Sequence, residues 1–347
     1  MSNLYLHSTS QDTLRTSSLC SIVSDAQSVL QLLKRRWWES LHGASWLTQE
    51  EQAEAVKKVV ALGLEVGAND HHWDISFVNK SHSELQFDAD MSFLELVTEL
   101  YRSFRSEMFL LYNTPIDKQS FIWSYTVQPY LVNAFHLQST NSIVFPEAFF
   151  YPPYYRSRAP EYINYGATAA AMAHEIFHGL DVLGLRFDHQ GNMNSPFSSS
   201  ALDHLNTTHS CYHHLLSQAF YTEVQFEYGT VAMEIDSSTS INEDLADTEG
   251  IRHAFRAYHR WVRRHYPEPR LPALQHNPDQ LFFLAAAQPY CAVLPDLAKI
   301  FLMEVDEHLP NDLRVNSIMM NTPEFSRAFN CSPPSRMSPP HTCHVFQ

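Results

Sequence analysis

Along residues 24–67 apolar positions recur every three or four residues. In SDAQSVLQLLKRRWWESL, and again in LTQEEQAEAVKKVVALGLEV, one stripe is apolar and the rest charged, which is the period of amphipathic helices. The second segment opens with Thr48 and Glu51 at the Thr-x-x-Glu spacing of a capping box, so a helix is predicted to start there. Residues 69–90 lose the period and read as loop. MSFLELVTELYRSFRSEMFLLY restores it up to Asn113-Thr114-Pro115, where proline disfavours helix in the residue before it. From Phe121 to Phe150 the pattern changes again. FIWSYTVQPYLVNAFHLQSTNSIVFPEAFF is aromatic and β-branched with a polar turn at 138–141, which predicts strands. After Tyr165-Gly166 the helical period runs to the end, broken by a polar loop at 188–200 and proline clusters at 267–272 and 333–340. The chain carries no internal repeat.

The candidate chemistry lies in AMAHEIFHGLD, Ala171 to Asp181. On a helix, residues four apart lie within about 40° of one another, so His174 and His178 can reach one ion, and Glu175 sits a quarter turn away. That is the layout of a zinc metalloprotease, two imidazole ligands with a carboxylate placed to act on water. The alanine-rich run GATAAAMA before it favours helix. Among 20 histidines the motif alone is a hypothesis, and zinc requires a third protein ligand. INEDLADTEGIRHAFRAYHRWV offers one. Glu243 and Asp247 share a helix face, with Ala246 leaving room for a second helix. Glu243 then completes a His2Glu set and Asp247 accepts the outer ring N–H of a ligand histidine, His174 first. The competing reading places both, with Asp244 and Glu249, on a solvated face.

Composition narrows the class. With 347 residues, 44% of them hydrophobic, the chain has material for a sizeable core in one large or two moderate domains. A net charge of −15 argues against nucleic-acid binding and leaves no polybasic stretch for anionic lipid. No run is long and apolar enough to span a bilayer, and the first twenty residues lack the layout of a signal peptide. The five cysteines form no CxxC pair, so a structural zinc cluster is not expected. Asn79, Asn206 and Asn330 begin glycosylation triplets.

Several motifs, in order, resemble the neprilysin and endothelin-converting-enzyme family of zinc metalloendopeptidases. They are VNAFHLQSTNSIVFPEAFFYPPYY, INYGATAAAMAHEIFHGLD, NEDLADTEG, FFLAAAQPYCAV, and a tail from His308 to Phe346, together covering most of residues 121–346. ASWLTQEEQAEAVKKVVAL extends a weaker likeness back towards Ser24. The resemblance implies an α+β, mainly helical, thermolysin-like (gluzincin) catalytic lobe with a small sheet over 121–347. Residues 1–120 become a helical remnant of the family's N-terminal lobe, the first twenty of them without fixed structure. It implies one Zn2+ per chain held by His174, His178 and Glu243, with Glu175 as general base and Asp247 behind a ligand. It assigns His308 to the oxyanion, Arg314 to a substrate carbonyl, and Asn133 and Ala134 to a substrate main chain bound as an added strand. Phe149, Tyr154 and Tyr290 match the lining of an apolar pocket, hence cleavage of oligopeptides before bulky hydrophobic residues. Zinc then polarises the scissile carbonyl while Glu175 moves the proton from water to the leaving amine.

The resemblance further implies a Cys211–Cys343 disulfide, and partners outside this chain for Cys291 and Cys331. Cys20 has no counterpart. It also implies a cell-surface or secreted setting, whereas the chain shows no anchor, and family members run to roughly twice this length. Two rivals stand beside the endopeptidase. One is a truncated, catalytically silent homologue that acts as a binding module or non-functional fragment. The other is a zinc aminopeptidase, whose Gly-x-Met-Glu-Asn strand is replaced here by Val132-Asn133-Ala134-Phe135. Locally, Asp244 stands for the family's asparagine, Glu249-Gly250 for Gly-Gly, and Val182 and Leu183 for aspartate and asparagine. An Asp244 carboxylate is expected to add negative charge near the metal.

Overall fold

In the computed structural model the described residues are 12–346, apart from 70–73, 84, 86, 113, 116, 220, 227–228 and 235–237. Residues 12–20, 81, 119–120, 125, 221–226 and 229–234 are described as backbone only, so Cys20 has no described side chain. The protein is α+β and mainly helical, with a small three-stranded sheet, as expected. Its contacts divide the chain differently from a boundary at 120/121. One unit comprises 1–23, 65–133 and 145–148, and the other 24–64, 134–144 and 149–347.

In the first unit the helix Phe93–Leu110 starts at a reciprocal cap, where the Ser92 amide donates to Glu95 Oε2 at 2.7 Å. Phe93, Leu94, Phe109 and Leu110 on this helix are exposed. The segment Ile122–Thr126, expected as strand, forms a π-helical turn with Ile122 and Trp123 buried. Burial of these two side chains overrides their strand propensity.

The second unit holds the larger core. The helix Asp12–His42, of which residues 24–42 belong to this unit, begins inside the twenty residues expected to lack structure, and residues 1–11 lie outside the described ones. Within the unit this helix is rooted by Trp37, whose ring stacks on His253 at 3.7 Å between centroids. His253 is pinned in turn, with Nδ1 donating to the Glu249 carbonyl at 2.7 Å and Nε2 lying 3.0 Å from Ser40 Oγ. The Thr48 capping box opens the helix Gln49–Ala61 as predicted. The helical pattern was expected to run on to Gly67, but the chain turns into strand β1, Gly63–Gly67, where the Gly63 amide donates to the Asn141 carbonyl at 2.8 Å. Strands β2, Phe135–Leu137, and β3, Ser142–Pro146, form the expected antiparallel pair, Phe135 facing Val144 and Leu137 facing Ser142. Asn141 makes the turn between them in the left-handed conformation, φ 48°, which asparagine tolerates. The order β1-β3-β2 leaves β2 at an edge. A hairpin, β4 Tyr221–Phe226 and β5 Gly229–Glu234, interrupts the run expected to be helical.

Two helices form the centre of this unit, Ala170–Phe177 and Ile241–Val262. They approach so closely that a β-carbon on Gly250 would lie 2.8 Å from the His174 amide nitrogen and 3.0 Å from the Ala170 carbonyl oxygen. Ala246 is fully buried one turn earlier. Phe177 and Tyr258 on this pair, with Tyr165 and Phe282 against Tyr258 and Phe283 against Phe255, are buried, each contributing roughly 1.5–3 kcal/mol relative to exposure.

Candidate metal centre

The close approach of the two helices decides where their polar side chains meet. His174 and His178, one turn apart, project towards Glu243 in the first turn of the facing helix. The His174 and His178 Nε2 atoms are 3.0 Å apart. Glu243 Oε2 lies 3.0 Å from His174 Nε2, and Oε1 lies 3.4 Å from His178 Nε2. One donor atom from each residue falls within 4.8 Å of the others, a spacing that one cation can bridge. Each imidazole is backed on its far side. His174 Nδ1 donates to Asp247 Oδ1 at 2.8 Å and His178 Nδ1 to Asp181 Oδ2 at 2.9 Å, which turns both Nε2 lone pairs inward.

Electrostatics point the same way. Burial opposes a charge on His174, yet Asp247 and Glu243 outweigh it and raise its pKa to about 9. His178 is raised well above the ordinary imidazole range, with burial again outweighed, here by Asp181 and Glu243. Burial works against the Glu243 carboxylate, and the three imidazoles around it nevertheless hold it well below the usual range. The pocket therefore favours positive charge between its carboxylates. The donor set, two imidazoles and a carboxylate with carboxylates behind, fits zinc.

Glu175 is buried, and that burial pushes its carboxyl up against the pull of His174 and His178. His308 reaches Glu243 Oε2 with Nε2 at 3.1 Å, and its Nδ1 lies 3.0 Å from Asp306 Oδ1. Arg314, on the helix Asn311–Met320, donates through Nε and, at 2.8 Å, Nη2 to Asp247. Its guanidinium lies 4.8 Å from the Tyr290 ring centre. Asp247 thus accepts from His174 and Arg314 together, and Arg314 is the largest cause, after opposing burial, that holds it below the usual carboxylate range.

Of the expected aromatic residues, Phe149 is buried beneath Tyr154 at 4.3 Å between ring centres. Burial raises the Tyr154 phenol, whose charge would also feel Arg314, Asp247 and Glu175. Asn133 ends a stretch of one compact unit and Ala134 begins a stretch of the other, immediately before β2.

The Asp244 carboxyl is buried, accepts from Ser240 Oγ at 2.8 Å, and is pushed well above the ordinary range by burial. Glu249 is equally buried, its Oε1 accepting the Val345 amide at 2.9 Å and facing Arg252. Neither it nor Asp244 lies on a solvated face. Four supporting residues had no role in the sequence reading. Asp181 and Asp306 stand three and two residues from the histidines they back, a spacing signal that was present. His136 donates through Nδ1 to the Glu175 carbonyl at 2.6 Å, and Gln138 Nε2 donates to the His178 carbonyl at 2.6 Å, tying the β2 region to the histidine helix. Burial drops the His136 pKa to about 3, so it is neutral.

A disulfide joins Cys211 to Cys343, as the resemblance implied, while Cys291 and Cys331 are free. No helix among the described residues is long and apolar enough to cross a membrane.

The chain is 27% identical over 320 residues to neprilysin-2 of Caenorhabditis elegans, a match covering 92% of this chain and 42% of the relative. It is 28% identical over 323 residues to human endothelin-converting enzyme 1, covering 93% and 40% respectively. The chain thus spans about two fifths of the length of these relatives. Its fold matches the Mycobacterium tuberculosis zinc metalloprotease Zmp1, solved in complex with an inhibitor, with a TM-score of 0.77 at 22% identity over 93% of this chain and 47% of that one. Residues 133–345 match the model of peptidase family M13, and the chain belongs to that family.

Proposed function

We propose that this chain is a zinc-dependent endopeptidase lobe that hydrolyses oligopeptides. The observation that carries the reading is the convergence of His174, His178 and Glu243 from two packed helices, each imidazole backed by an aspartate. One zinc ion held by these three would supply Lewis acidity towards a peptide carbonyl and water. Glu175 is the general base, a carboxylate whose pKa burial raises, placed to take a proton from water and return it to the leaving amine. His308 donates from Nε2 to the developing oxyanion, held in orientation by Asp306. Arg314, fixed by Asp247 on one side and Tyr290 on the other, presents its remaining N–H groups to a substrate carbonyl. Substrate main chain adds along the edge strand β2, with Asn133 and Ala134 at its start. Phe149, Tyr154 and Tyr290 line the apolar pocket that favours cleavage before bulky hydrophobic residues. The Cys211–Cys343 bond favours an oxidising setting, the cell surface or outside the cell.

The test is zinc content and cleavage of a quenched fluorescent peptide by the purified, oxidised chain beside Glu175→Gln. Stoichiometric zinc in both, with cleavage only in the native chain, is the expected result. Cleavage that survives Glu175→Gln would refute the base assignment, and zinc without cleavage in the native chain would favour the catalytically silent homologue.

A further inference from the structure

A second group of potential ligands adjoins the first. Glu243, Glu307 and His308 each place a donor atom within 4.8 Å of the others. We propose that these three form a second, weaker site for a divalent transition-metal cation, bridged to the zinc site by Glu243, and that its occupation silences the enzyme. This rests on the zinc reading of the His174 site.

The support is geometric. His308 is dressed as the two ligand histidines are, with Nδ1 donating to an aspartate, Asp306, and Nε2 turned to Glu243. A carboxylate behind an imidazole fixes the tautomer that ligates through Nε2. Glu243 Oε2 lies 3.0 Å from His174 Nε2 and 3.1 Å from His308 Nε2, so one carboxylate faces both sites. A shared carboxylate is how paired cations about 3.5–4 Å apart are commonly held. Glu307 adds a carboxylate that the first site does not use, and a carboxylate and imidazole set suits zinc. Glu307 is exposed, so the site opens to solvent and can exchange its ion. Repulsion from the first ion makes this site the weaker of the two. Coordination would occupy His308 Nε2, the atom proposed to steady the oxyanion, so the second ion inhibits without displacing the first.

The experiment is equilibrium dialysis of the purified chain and of Glu307→Gln against rising free zinc, with bound metal counted by atomic emission and peptide cleavage followed in parallel. Losing one of three protein ligands should weaken the second site by at least about tenfold, the scale on which even outer-sphere partners act. The expected result is one more ion on the native chain than on Glu307→Gln, equal cleavage at one equivalent, and inhibition by excess zinc in the native chain alone. Equal ion counts above one in both proteins would place any weak ion elsewhere and overturn the proposal. A single ion on each would overturn it and leave the peptidase reading standing. No stoichiometric ion on either would overturn both.

Discussion

Replacing Asp247 by asparagine isolates what holds the centre together. Three N–H groups converge on that carboxylate, His174 Nδ1–H, Arg314 Nε–H and Arg314 Nη2–H. A carboxylate accepts all three, whereas an amide offers one oxygen and turns an NH2 group on whichever donor remains. The variant therefore leaves either the guanidinium or the imidazole N–H facing another donor in a buried site. Breaking a buried, hydrogen-bonded charge pair from one side costs about 3–5 kcal/mol. Losing the carboxylate behind a ligand histidine weakens metal by about 10–100-fold. Urea unfolding of the metal-free chain reads the first quantity, and zinc competition against a chromophoric chelator reads the second. Stability within about 1 kcal/mol of native together with zinc affinity within about threefold would refute the claim that Asp247 anchors both Arg314 and His174.

Two further outcomes follow from features away from the centre. Glu161 has its carboxyl raised from 4.5 to about 7, by burial first and then by Glu268 and Asp25. The folded chain retains a proton that the unfolded chain releases, so stability is undiminished below about pH 4.5 and falls as pH rises to about 7. At full burial the difference would be about 3 kcal/mol, and partial exposure reduces it to about 1–2 kcal/mol. Glu161→Gln should therefore stabilise at pH 8 and not at pH 4, and an equal effect at both, read by urea unfolding, would refute this. The Cys211–Cys343 bond closes a loop spanning a sequence separation of 132, which the chain-entropy model values at about 5 kcal/mol. Cys343→Ser should lower the unfolding midpoint steeply in calorimetry, and a midpoint within a few degrees of native would count against that loop-closure value.

The histidine pair and the Glu243–Asp247 pair were legible because each lies within one helix, where spacing alone decides which side chains share a face. The Thr48 cap and the β2–β3 turn were legible for the same local reason. His308 and Arg314 were not singled out by spacing, because the carboxylates at 306 and 307 beside His308 are a weak signal on their own and Arg314 has none, and family resemblance alone picked them. His136 and Gln138 act on carbonyls some forty residues away, and no local pattern encodes that. The β4–β5 hairpin does show alternation, Thr222 to Phe226 ahead of Gly229, but the helical segments on either side masked it. The division at 120/121 followed the family resemblance, and the Trp37–His253 stack, which joins residues over two hundred positions apart within the larger unit, has no local signal in the chain.

Gly250 also limits how this chain can change by descent. Any side chain there would press on the His174 backbone and set the two helices further apart. No substitution at position 243 could make up the lost reach, because glutamate is already the longest carboxylate among the genetically encoded residues. A mutation at this glycine is thus one from which selection on the ligands offers no return. The narrow waist between the helices must therefore be kept if the centre is to be kept.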